Sequence, residues 1–202
     1  MAGLTDAALV IHACQAGLMG SLGAGTMEPA AIRAAIHSIR AGTERVFNIN
    51  LFIVDAHEGH VPDPAVLAVL HQYLETLAHE EAPDVPLLRR YAPSFAGQFA
   101  VLLDEAPPVA SFTFGILSPE RVAALQERGV TVIGTATTAR EAKAWEQVGA
   151  DAVCLQGIEA GGHRGGFLEE DFTGVGLLAL IPACRAAVDI PVIAAGGIMT
   201  GS

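Results

Sequence analysis

The sequence predicts an α/β fold: an incomplete TIM-type (β/α)8 barrel, with about six β/α units readable along the 202 residues. Three observations lead there. Short apolar runs alternate with amphipathic helical stretches, joined by short connections. The runs are apolar enough to be covered on both faces, as parallel strands with right-handed crossovers are. The densest group of polar side chains and glycines, from Asp151 to Gly166, follows the end of one such run. In barrels of this kind the strand mouths carry the chemistry.

Thr5 to Ala16 reads as a helix that Gly17 ends. Leu18 to Leu22 is a short strand running into Gly23-Ala24-Gly25. Glu28-Pro29 opens a helix whose Ile32, Ile36 and Ile39 recur at helical spacing. Val46 to Ile53 is the next strand, with Asn48 and Asn50 on one face. Asp55 to Pro62 is irregular. Asp63-Pro64 then starts a helix with an apolar stripe of Val66, Leu70, Tyr73 and Leu77. Glu80 to Pro93, with three prolines, reads as a surface connection.

Phe95 to Glu105 is predicted helical and stopped by Pro107-Pro108, with Val109 to Phe114 the following strand. Ser118-Pro119 caps a helix that ends at Gly129, and Val130 to Ile133 is a strand. Thr138 and Glu141 have capping-box spacing at the start of a helix closed by Gly149. Ala152 to Leu155 is the central strand. Gly174 to Val188 reads as a helix in which Pro182 marks either a kink or the true start. Pro191 to Ala195 is the last strand, ending in Gly196-Gly197.

Composition sets the outer limits. With 51% hydrophobic residues the chain can bury one sizeable core, and residues 1–202 read as a single domain. A formal net charge of -11 argues against nucleic acid, whose phosphates need a basic face. Cys14, Cys154 and Cys184 lie far apart with no CxxC, so reduced core thiols are expected. No apolar run has the length of a membrane span and the start lacks a basic leader, so a cytoplasmic protein is expected. His57, Glu58 and His60 do not have the spacing of a metal-binding helix, and no metal is expected.

The chemistry concentrates after the central strand. Gln156, Glu159 and His163 bring an amide, a carboxylate and an imidazole to one strand mouth, among glycines that let a flat or phosphorylated ligand lie on bare backbone. Glu159 reads as a structural residue that holds the loop through backbone amides. Arg164 is either an anion-binding residue or an exposed loop arginine. The segment Gly20 to Gly25 reads more simply as tight strand-end packing than as a phosphate turn.

The run from Gln156 to Gly165 resembles the signature of the class I nitronate monooxygenases, formerly called 2-nitropropane dioxygenases. Further stretches resemble that family in the same order: Met1 to Gly3, Gly20 to Gly25, Asn50 to Phe52, Ser111 to Gly115 and Ala194 to Ile198. The resemblance implies an FMN-dependent TIM barrel that oxidises alkyl nitronates, such as propionate 3-nitronate, with O2 to nitrite and a carbonyl product. It implies that Asn50, Gln156, Gly161 and Gly197 contact FMN and that His163 is catalytic. The amides of Asn50 and Gln156 suit a ring edge that both donates and accepts hydrogen bonds. His163 serves either as a base or, if the nitronate arrives already ionised, as a hydrogen-bond donor to it.

Set against the family pattern, strand 1 is missing except for its last residues, and strand 8 is missing. The expectation is a chain cut at both ends that binds FMN weakly. A flavin- and NAD(P)H-dependent enoyl-acyl-carrier-protein reductase of the related type is the runner-up, and a non-catalytic fragment is the third reading. Gln156 and Arg164 favour the monooxygenase.

Overall fold

The computed structural model describes residues 2–54, 63–78, 92–168 and 174–200. The chain divides into two compact units, Met1–Val54 with Pro93–Ser202, and Asp55–Ala92. His57, Glu58, His60 and most of the Glu80 to Pro93 connection lie outside the described residues. Within the second unit, the helix Pro64–Ala78 begins where Asp63 accepts from the Ala65 amide (2.9 Å). Its stripe of Val66, Leu70, Tyr73 and Leu77 is exposed.

The first unit holds six strands: β1 (Gly20–Gly23), β2 (Phe47–Phe52), β3 (Val109–Thr113), β4 (Thr131–Ala136), β5 (Ala152–Gln156) and β6 (Val192–Ala195). All neighbours are parallel and the spatial order is the chain order. One helix precedes β1 and the others lie between strands: αA to αF are Ala7–Gln15, Pro29–Gly42, Phe95–Glu105, Pro119–Glu127, Ala139–Gln147 and Leu177–Arg185. This is an incomplete TIM barrel, with the strand count that the apolar runs predict.

Side-chain alternation gives the curled sheet two different faces. Leu22, Ile49, Phe112, Val132, Val153 and Leu155 are buried in the main core. Ile32, Ile36 and Ile39 of αB join that core, as their spacing requires. The other face carries a small apolar cluster of Val109, Ile133 and Ala152, with Cys154 packed on it. Toward the C-terminal strand ends the same face turns polar: Asn50, Ser111, Thr113, Thr135 and Gln156.

Helix starts follow capping chemistry. Asp6, Ser94, Ser118 and Thr138 each accept a backbone N–H in the first turn of the helix that follows. At αF the cap residue, Gly176, offers no side chain, and Pro182 lies inside the helix. The helix starts at Leu177 and not at the proline. Pro182 cannot donate to the Leu178 carbonyl, and Leu178 is 88% exposed, so water can take that bond.

One strand is longer than the sequence suggests. β4 continues past Ile133 through Gly134, Thr135 and Ala136. Gly134 lies against the Trp145 indole, where a Cβ would collide with the ring. Trp145 Nε1 donates to the Thr135 carbonyl (3.0 Å) and its ring stacks near Phe112 (6.5 Å between centroids). The glycine is there to admit αE's tryptophan, not to end the strand.

Candidate functional site

Asn50, Gln156 and His163 gather toward the C-terminal strand ends, where two sets of polar contacts meet. Asn50 Nδ2 donates to Ser111 Oγ (3.0 Å) and Thr113 Oγ1 (3.3 Å). Thr113 Oγ1 lies 3.3 Å from Thr135 Oγ1. Gly165 crosses above these threonines so closely that a Cβ on it would stand 2.8 Å from the Thr113 methyl and 3.0 Å from that of Thr135. Deeper on the same face, Asn48 Nδ2 donates to Ser21 Oγ (2.7 Å) and Ser111 Oγ (2.8 Å). Its Oδ1 is buried and unpartnered among the described residues.

Gln156 grips the loop at His163 and two residues beyond it, on either side of Arg164. Its Nε2 donates to the His163 carbonyl (2.9 Å) and its Oε1 accepts from the Gly165 amide (2.6 Å). The His163 ring is exposed and stands edge-on to Phe114, 6.0 Å between centroids. Phe114 in turn meets Phe52 at 4.8 Å. Phe114 adopts φ 71, a left-handed conformation that is costly for a bulky residue. It turns the chain at the end of β3 and leaves the ring facing the imidazole.

Glu159 is tied to the αF N-terminus. Both its oxygens accept from the Leu177 amide (3.1 and 2.9 Å), supplying the acceptor that Gly176 lacks. The structural reading of Glu159 is the one its contacts support. Gly196 and Gly197, at φ 122 and φ 67, pack on this segment: a Cβ at Gly197 would lie 3.2 Å from Glu159 Cβ. Gly161 and Gly162 face open space.

The Gly20 to Gly25 segment behaves as close packing. A side chain at Gly20 would strike the Val10 backbone and one at Gly25 the Phe52 ring. Gln98 secures the segment by donating to the Gly25 (3.2 Å) and Met27 (2.8 Å) carbonyls. Arg164 Nη2 donates to the Thr137 carbonyl (3.4 Å), so this side chain binds the β4–αE turn.

All three cysteines are free. Burial pushes the Cys154 thiol up, and burial together with the Glu141 charge does so for Cys184. Neither is primed as a thiolate nucleophile. Among the described residues no group of three His, Cys, Asp or Glu could hold a metal ion, and no helix is long and apolar enough to cross a membrane.

Sequence reading did not find Ser111, Thr113, Thr135, Phe52 or Phe114 as part of this mouth. The first three carry a usable signal: Ser111 is in register with Asn50, and Thr113 and Thr135 pair with Phe52 and Cys154, each two residues along its strand from Asn50 or Gln156 on the same face. Phe114 has none, because nothing local announces a positive φ at a phenylalanine.

The nitronate monooxygenase family model matches residues 1–202. A nitronate monooxygenase of Paraburkholderia phytofirmans is 40% identical over 210 residues, covering 100% of this chain and 56% of that protein. The solved nitroalkane oxidase of Streptomyces ansochromogenes is similar at TM-score 0.83 and 38% identity, covering 100% of this chain and 58% of that one. FabK of Thermotoga maritima is similar at TM-score 0.70 and 28% identity, covering 100% and 50%. The chain thus spans somewhat more than half the length of the proteins it matches.

Proposed function

The chain belongs to the nitronate monooxygenase family, and from that premise we propose that it serves an FMN-dependent oxidation of alkyl nitronates, such as propionate 3-nitronate, by O2. The products are nitrite and a carbonyl compound. The observation that carries this reading is the Gln156 clasp, which fixes the backbone from the His163 carbonyl to the Gly165 amide at the same strand mouth as Asn50.

The residues present fit a flavin mononucleotide. Asn50 and Gln156 carry amides on one polar face, and Gln156 keeps one N–H and one lone pair beyond those the loop takes. Gly161 faces open space, and Gly197 at positive φ can present backbone amides to a phosphate at the end of β6. When bound, FMN supplies the electron-transfer chemistry. The protein's own part is to orient the substrate and balance its charge.

A nitronate carries its negative charge on the nitro oxygens and has already lost its carbon-bound proton. His163 therefore needs only to donate a hydrogen bond to it, and Phe114 holds the imidazole edge-on for that purpose. Phe52 and Phe114 give the alkyl chain an apolar wall.

The enoyl-acyl-carrier-protein reductase reading stands second, because Gln156 and Arg164 favour the monooxygenase. The test is oxygen uptake and nitrite release by flavin-reconstituted protein given propionate 3-nitronate, compared with NADH oxidation by the same preparation. Nitrite formation without NADH oxidation is expected. NADH oxidation without nitrite formation would reverse the ranking.

A further inference from the structure

Glu141 sits three residues after Thr138, where a capping-box glutamate would reach back to the cap and stay in water. Thr138 does cap the helix, accepting from the Glu141 amide (3.2 Å). The Glu141 carboxylate goes elsewhere. It is 1% exposed. One oxygen accepts from the Thr137 amide (2.6 Å) and hydroxyl (2.7 Å). The other accepts from the Phe167 (2.5 Å) and Leu168 (3.1 Å) amides, beyond the glycine loop that carries His163.

We propose that Glu141 is the positioning residue of the His163 loop: its buried carboxylate bolts the far end of that loop to the β4–αE turn, as Gln156 holds the His163–Gly165 stretch to β5. Donor and acceptor accounting makes the carboxylate specific. Three of its four partners are backbone N–H groups, two on one oxygen and one on the other. Only a side chain that accepts at both ends satisfies them. Glutamine has the same shape but turns an NH2 toward at least one backbone N–H, leaving a buried donor unpaired. The surroundings reinforce the seam. Phe167 meets Trp145 edge-on at 6.3 Å, and a Cβ on Gly166 would lie 3.1 Å from Thr137 Oγ1. The loop is thus held at two points, at His163–Gly165 by Gln156 and at Phe167–Leu168 by Glu141, with His163 at the first of them.

That the loop is bolted follows from these contacts alone; its consequence for turnover rests on the nitronate reading above. The test measures backbone hydrogen exchange in the full chain without flavin or substrate, for wild type, E141Q and T137V. E141Q should speed exchange at Phe167 and Leu168 by about 10- to 100-fold, the range expected when hydrogen bonds to a charged group are lost. Amides in β4 and β5 should keep their protection. T137V, which removes only the hydroxyl partner, should leave the loop amides within about threefold of wild type.

E141D keeps both acceptors on a shorter stem and should recover part of the protection; it also serves if E141Q does not fold. In flavin-reconstituted protein, E141Q should lower kcat for propionate 3-nitronate while bound flavin stays at the wild-type ratio. Unchanged loop exchange in whichever variant folds would overturn the assignment. So would collapse of both E141Q and E141D, which would make Glu141 a general core residue. If loop exchange responds while wild type has no nitronate activity, the nitronate reading fails and the Glu141 assignment stands.

Discussion

Two glutamates hold this chain together in opposite ways. Glu105, at the end of αC, is met by two arginines and a histidine. Arg33 reaches it at 2.5 Å, His37 at 2.9 Å and Arg40 at 3.2 Å, all from αB. Arg40 also donates to the Glu105 and Ala106 carbonyls, closing the helix end. Glu141, at the start of αE, is met by hydroxyl and amide donors, most of them backbone. The first bracket is electrostatic and its arginines are part-exposed, so salt and acid should weaken it. The second is buried and made by donors that do not titrate, so it should tolerate salt. αB and αC are tied to each other by charge, and the strand mouth is set by hydrogen-bond geometry.

The largest expected effect lies at the mouth. His163→Ala should reduce nitronate turnover by about 10²- to 10⁴-fold, the usual worth of a positioned histidine. Its melting temperature should match wild type, since the ring is exposed. An equal loss of stability would mean that the imidazole is a packing group.

Gln156→Ala comes next. It removes one donor and one acceptor from the loop and should cost about tenfold in turnover, near the net worth of one or two hydrogen bonds. Loss of turnover with unchanged loop exchange would argue that Gln156 acts on the ligand and not on the loop.

Glu105→Ala should leave flavin chemistry alone and lower the melting temperature by about 2–4 °C, roughly 1 kcal/mol for a chain of this size. Burial raises the Glu105 pKa, but hydrogen bonds from Arg33 and His37 outweigh burial and leave it below the ordinary carboxylate range. Its stabilisation is therefore complete above the unfolded carboxylate pKa and is lost as pH falls through the lower folded value. Thermal melts of wild type and E105Q across that acid window should converge as pH drops. Parallel curves would remove Glu105 from the acid response.

The smallest effect concerns the thiols. Cys154 and Cys184 should resist iodoacetamide at neutral pH in the folded protein and react on unfolding, because burial holds both as thiols.

Much of the fold was legible in the sequence because strands and helices are specified by local periodicity. Phe95–Glu105 was predicted to the residue, and the shared face of Asn48 and Asn50 follows from period two alone. β4 was read short because Gly134-Thr135-Ala136 looks like a connection until Trp145 is known to lie against it. Glu141 was read as a capping-box residue because spacing shows only near neighbours. Its decisive partners, Phe167 and Leu168, are 26 and 27 residues away. The glycine loop and His163 stood out by composition. What fixes them in space, a glutamine on β5 and a glutamate on αE, depends on which elements pack together.

The most direct test of the central claim is anaerobic mixing of flavin-reconstituted protein with propionate 3-nitronate, followed by flavin absorbance. Wild type should bleach rapidly with the nitronate and His163→Ala should bleach at least about tenfold more slowly. Rapid bleaching by NADH with none by the nitronate, or equal bleaching with and without the imidazole, would contradict the account.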